Sequence, residues 1–359
     1  LDQIRDFKGK YPKQLWYLFF SEMWERFCFY GMRGMLVIFM VDRTIGLSMK
    51  DDAANLQYGA TQAFVYAFTF VGGLFADKIL GFRRSLFWGG MLMIVGSCIL
   101  AFDPHNFFFA GISFTIIGTG FFKPNISTMV GQLYKSDDNR TDAGFSLFYA
   151  GINIGALIGG YACVVVAKEY SWNLAFGLAA IVMTISLVTF IFTQRSLGPI
   201  GLAPILKSGP GKNKQWYQYA VYAGSLCVIP LIMKMVSQTE YTDWFMYIIG
   251  PCTLVYLIYE MRKYSVSENK KLVAALVFII FSILFWAFFE QSGGSLSLFA
   301  ASHLTDSVLG IKLDPNGVNN SSNSFFVIPF AFLLGLVWLW MSKRKIEPNT
   351  IIKFGLGFL

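Results

Sequence analysis

The stretch SEMWERFCFYGMRGMLVIFM, residues 21–40, is apolar enough to sit in a bilayer, yet it carries Glu22, Glu25, Arg26 and Arg33. On a helix, Glu22, Glu25, Arg26, Phe29, Tyr30 and Arg33 advance by three or four residues and form one polar stripe about three turns long. Glu22 and Arg26 stand four apart and can pair, as can Arg26 and Tyr30. A bare charge at the bilayer centre costs roughly 2.5–3.5 kcal/mol on insertion scales, so the stripe must face protein or water rather than lipid.

The remainder of the chain agrees with a membrane setting. Of its 359 residues 55% are hydrophobic, 18% aromatic and 14% charged, and the mean hydropathy is +0.53. So little charge does not cover the surface of a soluble domain of this length. The chain reads as an all-α polytopic membrane protein surrounded by lipid. Apolar segments of spanning length fall near 15–41, 55–77, 85–102, 107–133, 143–167, 173–193, 216–235, 243–261, 271–301 and 323–342, and a further one begins near 350. Residues 1–14 are polar and the first apolar run is full length, so no cleavable signal peptide is expected.

The formal net charge of +8 lies in short clusters between the apolar segments. A nucleic-acid partner would need a basic groove or stripe, so none is expected. Twenty of the 29 bases fall in connections on the side of the N-terminus, and five (Arg43, Lys50, Lys168, Lys234 and Lys312) fall on the other. By the positive-inside rule the N-terminus is cytoplasmic and the chain lies in the cell (inner) membrane. The five cysteines sit inside apolar segments without metal-ligand spacing and are expected to be small buried hydrophobes.

Three parts are expected: a six-helix bundle over 1–195, a linker with two inserted helices over 196–265, and the start of a second six-helix bundle over 266–359. The linker contains the Gly/Pro/Lys-rich run SLGPIGLAPILKSGPGKNK, residues 196–214. The inserted spans have no acid or base at their centres and suit a lipid-facing addition.

Two more charges lie deep in spans, Lys123 in GTGFFKPNIS and Glu290 in FWAFFEQSGGS. Glu22, Glu25 and Glu290 then balance Arg26, Arg33 and Lys123. Buried pairs are poor stabilisers, and these lie on three separate helices, so a functional cavity is the expectation. His105 and His303 fall in loops on the far side. No Ser–His–Asp grouping, zinc spacing or phosphate loop appears, so no enzyme, metal or cofactor is expected. DKILGFRR, residues 77–84, reads either as positive-inside charge or as a clamp between helices. Tyr30, Tyr66, Tyr149 and Trp286 stand out for lying near the charged positions.

Glu22-x-x-Glu25-Arg26 followed by Tyr30-Gly31 and Arg33 resembles the first-helix motif of the proton-dependent oligopeptide transporters (the POT, or PTR, family) of the major facilitator superfamily, in their prokaryotic form. GTGFFKPN resembles the fourth-helix signature, FYAGINIG (148–155) the fifth, FWAFFEQ the seventh, and ADKILGFRR the superfamily's loop between helices two and three. The resemblance covers 22 to about 330. It implies two six-helix bundles plus two inserted helices, here lacking the last core helices. The chain ends where the ninth core helix begins, so the family's tenth-helix glutamate lies outside it and a longer parent chain is expected. Phe29 stands where relatives often carry tyrosine, which removes one hydroxyl.

The resemblance implies a proton-coupled symporter that imports di- and tripeptides by alternating access. The peptide carboxylate would meet Arg33 and Lys123. The amino end would meet Asn153 and Asn323, and Tyr30, Tyr66 and Trp286 would form tolerant aromatic walls. Glu22, Glu25, Arg26 and Glu290 would couple protons, with Glu290 pairing to Arg33 as an outer gate. A relative that carries nitrate or another small anion, and a receptor that binds without transport, are the alternatives. The paired bases and the asparagines favour a peptide.

Overall fold

A computed structural model describes residues 2–135, 138, 140–204, 215–308 and 310–357. Its long helices are α1 (Lys13–Val41), α2 (Asp51–Phe75), α3 (Phe82–Phe102), α4 (Pro104–Gln132), α5 (Thr141–Glu169), α6 (Trp172–Thr193), α7 (Gln215–Ser237), α8 (Thr239–Glu260), α9 (Val266–Phe289) and α11 (Pro315–Lys343). Short helices lie at Ser295–His303 (α10) and Thr350–Leu356 (α12), and a single helical turn, Asp2–Arg5, precedes α1. Among the described residues, nine helices are long and apolar enough to cross a membrane. α1 fails that test because its acids and bases crowd every apolar window. Its charged positions are nevertheless buried in protein, with Glu22, Glu25, Arg26 and Arg33 all at most 5% exposed.

The seam that buries them is set by small residues. Along α1, Phe19, Met23, Phe27 and Gly31 recur every four residues, and along α5 so do Gly151, Gly155, Gly159 and Cys163. A Cβ at Gly155 would overlap the Met23 carbonyl oxygen, and one at Gly159 the Phe27 carbonyl oxygen. Only glycine permits that approach, the small-xxx-small device of membrane helices. α1 also packs on α6, α3 on α4 and α6, and α2 on α4, which closes the six-helix body. α11 joins it from the other half. Ser321 Oγ donates to the Leu157 carbonyl at 3.0 Å, and Asn316 Nδ2 donates to the Gly34 carbonyl at 3.1 Å.

Several expectations change in detail. The span foreseen at 271–301 is not continuous: α9 ends at Phe289, Glu290–Gly293 form a 3-10 turn, and α10 follows. Gly294, at φ −105 and ψ −110, lies outside helical geometry and breaks the run. The span foreseen at 323–342 starts at Pro315, after the Asp314 cap, which brings Asn316 and Asn320 onto the helix. A small antiparallel pair, Ser307–Val308 with Ile311–Lys312, interrupts the all-helical reading. His105 and His303 lie at helix ends rather than in loops. Cys28 and Cys163 are buried, whereas Cys98, Cys227 and Cys252 face outward, because lipid accepts a thiol as readily as a core does. Residues 205–214 of the linker lie outside the described residues. Of the inserted helices, α7 packs on α4 and α2, while α8 is exposed along nearly its whole length.

The loop motifs act as ties. Gly81, at φ +76, turns the chain from a π-helical turn (Ala76–Leu80) into α3. Arg83 Nε then donates to the Ile200 carbonyl at 2.7 Å, and Nη2 to the Gly198 carbonyl at 2.5 Å. DKILGFRR thus ties the start of α3 to the turn that follows α6. At the same end, Arg140 Nη1 donates to the carbonyls of Phe7 and Gly9 at 3.1 and 3.0 Å. Hydrogen bonds from Arg140 hold the Asp138 carboxyl at about 2. That contribution is complete above the ordinary carboxylate range and disappears only as pH falls through about 2.

The glycine seam generates a stability prediction. Gly155→Val should destabilise by about 1–3 kcal/mol or more, since overpacking against backbone has no relief. Gly224→Val, where an added Cβ meets nothing within 4 Å, should melt like the wild type. Equal melting temperatures for the two variants in detergent micelles would refute the packing argument.

Candidate functional site

Two charge clusters lie along α1. The first is formed by Glu22, Glu25 and Arg26. Arg26 Nε donates to Glu22 Oε1 at 2.7 Å. It also lies 2.9 Å from Glu25 Oε2, without the alignment of a hydrogen bond. Glu22 Oε2 and both Glu25 oxygens have no hydrogen-bond donor among the described residues. The spacing-allowed Arg26–Tyr30 hydrogen bond is not made; the guanidinium instead lies 5.6 Å from the centre of the Phe29 ring.

Seven residues on, a rise of about 10.5 Å, Arg33 builds the second cluster. Its Nη2 lies 3.0 Å from Glu290 Oε2 and 3.0 Å from Ser292 Oγ, and its Nε donates to Tyr58 OH at 2.8 Å. Tyr58 OH in turn donates to Glu290 Oε2 at 2.9 Å, and Tyr66 OH donates to Glu290 Oε1 at 3.0 Å. The carboxylate thus accepts from one guanidinium and two phenols. The break after α9 makes this possible. The 3-10 turn presents Glu290 and Ser292 to the same guanidinium.

The two halves of the chain meet around this pair, at the end away from residues 2–12. There Lys168 Nζ, at the end of α5, lies 2.6 Å from Asp314 Oδ2, which caps α11. A cleft of about 1070 Å³ opens between α2 and α9, lined by Tyr58, Gln62, Tyr66, Trp286 and Glu290 among others. Its volume and mixed lining suit a small organic solute.

The other foreseen residues distribute as follows. Lys123 Nζ sits 4.7 Å from the centre of the Tyr66 ring and 5.5 Å from that of Phe29. It thereby links the two clusters through aromatic faces. Trp286 lies against Tyr66, ring centres 5.6 Å apart. Tyr30 is half-buried, 5.9 Å from the Arg33 guanidinium. Asn153 is buried and donates back to the Tyr149 carbonyl on its own helix at 2.9 Å. Asn323 is exposed and does not join either cluster. Tyr149 is exposed as well.

Sequence reading missed Tyr58 and Ser292. A signal for Tyr58 existed: Tyr58, Gln62 and Tyr66 stand at i, i+4 and i+8, one polar stripe on α2. Ser292 carried none, because its position depends on the break in the helix.

Comparison with known proteins places this geometry in a family. A profile described as the POT family matches residues 83–359. The peptide transporter YePEPT of Yersinia enterocolitica subsp. palearctica serotype O:3 (strain YE-P4) is 33% identical over 374 residues, covering 99% of this chain and 72% of that protein. A di-/tripeptide transporter of Lactococcus lactis subsp. cremoris is 32% identical over 369 residues, covering 97% and 73%. The crystal structure of peptide transporter POT in complex with sulfate superposes with a TM-score of 0.83 at 32% identity, covering 98% of this chain and 73% of that one. The fold is therefore of the major facilitator type, and the chain belongs to the POT family of membrane transporters.

Proposed function

We propose that this chain imports di- and tripeptides together with protons, by alternating access, across the cell (inner) membrane with its N-terminus in the cytoplasm. It is a transporter, not an enzyme. The observation that carries the proposal is the Glu290 carboxylate shared between Arg33, Tyr58 and Tyr66 at the mouth of the 1070 Å³ cleft. A peptide is a zwitterion with a variable middle. Its carboxylate is matched by the fork of Arg33 and the point charge of Lys123. Tyr30, Tyr66 and Trp286 supply walls that demand no particular side chain. Asn153 and Asn323 serve the amino end once the surrounding helices move. The lactococcal relative carries di- and tripeptides in its name, which supports this cargo over a small inorganic anion.

Protons act as the coupling ion, with no other cofactor. Buried acid oxygens without a donor, as on Glu22 and Glu25, are the atoms a proton would satisfy. Glu290 as an anion holds Arg33 and closes the outer mouth; protonated, it releases the guanidinium to the peptide carboxylate. The six-helix body (1–195) and the second half (266–359) then rock about the site, with 196–265 riding on the first. A potential of ~100 mV is worth ~2.3 kcal/mol and one pH unit ~1.4, so one proton supports roughly 500-fold accumulation.

Three measurements test this in proteoliposomes. Lys123→Ala should weaken peptide binding by about 1.5–3 kcal/mol, the worth of a charged hydrogen bond. A peptide amidated at its C-terminus should lose far less, and equal losses would remove Lys123 from the carboxylate site.

Glu290→Gln should still exchange labelled for unlabelled peptide and should fail at gradient-driven accumulation, because the gate no longer senses the proton. Wild-type accumulation would leave Glu22 and Glu25 as the proton sites. Loss of folded protein together with exchange would make the pair a packing device.

Tyr58→Phe removes the hydroxyl that touches both gate partners. It should leave Lys123-dependent affinity intact while raising accessibility of the outer mouth to a thiol reagent, read on a cysteine introduced at Asn55. Unchanged labelling would exclude Tyr58 from the gate.

A further inference from the structure

A second cavity, of about 390 Å³, lies between α2, α4 and the inserted helix α7. Phe68, Val71 and Phe75 of α2 and Ile79 of the π-helical turn after it form one apolar face at helical spacing, and Phe121 of α4 closes the back. Of its two hydroxyl-bearing lining residues, Tyr217 stands at one end and Ser225 is already occupied. Ser225 Oγ donates to the Tyr222 carbonyl at 2.7 Å and accepts from Trp88 Nε1 at 2.9 Å. Gly224 lines the groove, and a Cβ there would meet nothing within 4 Å.

Two features say what fills it. The first is length. From Phe68 to Ile79 the groove runs about 16 Å along the helix, roughly half of the ~30 Å hydrocarbon core, which is the depth of one leaflet. The second is charge at one end. The groove stops at Ile79 and Tyr217. Lys78, beside Ile79, is exposed, and so is Arg84, which donates to the Gln218 side chain next to Tyr217. That bond leaves further guanidinium N–H groups for a second acceptor. Asp77 is the single acid in the turn from 76 to 84. The end is basic, and it is the end that carries residues 2–12.

We propose that this groove binds one acyl chain of an anionic phospholipid, with its phosphate at Lys78 and Arg84. Basic pockets between membrane helices hold anionic headgroups in this way. The lipid fills the seam between the six-helix body and α7, which the Trp88–Ser225 and Arg84–Gln218 contacts keep at a fixed width. This site is distinct from the peptide cleft and does not depend on the cargo assigned above.

Native mass spectrometry of the purified, delipidated protein tests it, titrating phosphatidylglycerol against phosphatidylcholine of identical chains. Phosphatidylglycerol should be retained in preference. Lys78→Gln and Arg84→Gln should each lower its occupancy about fivefold, the equivalent of about 1 kcal/mol per base near a charged surface. Gly224→Phe keeps every charge but fills the groove, and should abolish the preference while the melting temperature stays at the wild-type value. Equal retention of the two lipids by the wild type overturns the proposal. So does wild-type occupancy in Gly224→Phe, and so does wild-type occupancy in Lys78→Gln, an exposed change that leaves folding alone.

Discussion

A charge facing hydrocarbon is expensive, and α1 carries four ionisable groups within three turns. The rest of the molecule can be understood from where those groups are put. They cannot be neutralised by one neighbour, because Glu22, Glu25 and Arg26 leave an acid in excess while Arg33 lies two turns further on. The solution is to bury α1 at the centre of the body. The glycines of α5 allow backbone contact with it, and α2, the 3-10 turn with α10, and α11 pack against it as well. The charges that require this burial are also why α1 fails a hydropathy test that its neighbours pass.

The same demand shapes the second half. Arg33 needs acceptors, and a continuous ninth helix would present Glu290 but not Ser292 to it. The glycine pair at 293 and 294 ends the helix, and the 3-10 turn supplies both side chains. Tyr58 and Tyr66 then add donors to the same carboxylate. Five residues on three elements therefore share one site, and a change in the charge of Glu290 alters the hydrogen bonds that Arg33, Tyr58 and Tyr66 make to it. The Lys168–Asp314 pair and the Asn316–Gly34 hydrogen bond lie at the same end, so the halves separate there only when several polar contacts break together.

The end that carries residues 2–12 is organised differently. Its arginines grip main-chain carbonyls: Arg83 holds Gly198 and Ile200, and Arg140 holds Phe7 and Gly9 besides pairing with Asp138. Such ties fix loops to the six-helix body and leave Lys78 and Arg84 facing outward beside an apolar groove.

Much of this was legible from residue types and spacing. The spans, the sidedness of the bases and the polar stripe of α1 follow from hydropathy, the positive-inside bias and the 3.6-residue period. These are one-dimensional properties, so a sequence holds them completely. The pairing of Arg33 with Glu290 was expected only from the mechanism that the family resemblance implies, and the structure forms it at 3.0 Å. What the tertiary structure decided was which atoms meet. Tyr58 and Ser292 joined the site, Asn323 stayed outside it, Asn153 turned back to its own helix, and Arg26 took Glu22 rather than Tyr30. Each of these depends on a helix break, a rotation about a helix axis or a choice among nearby acceptors. Such choices are settled by packing over distances of a few ångströms between segments far apart in the chain, and no local pattern records them.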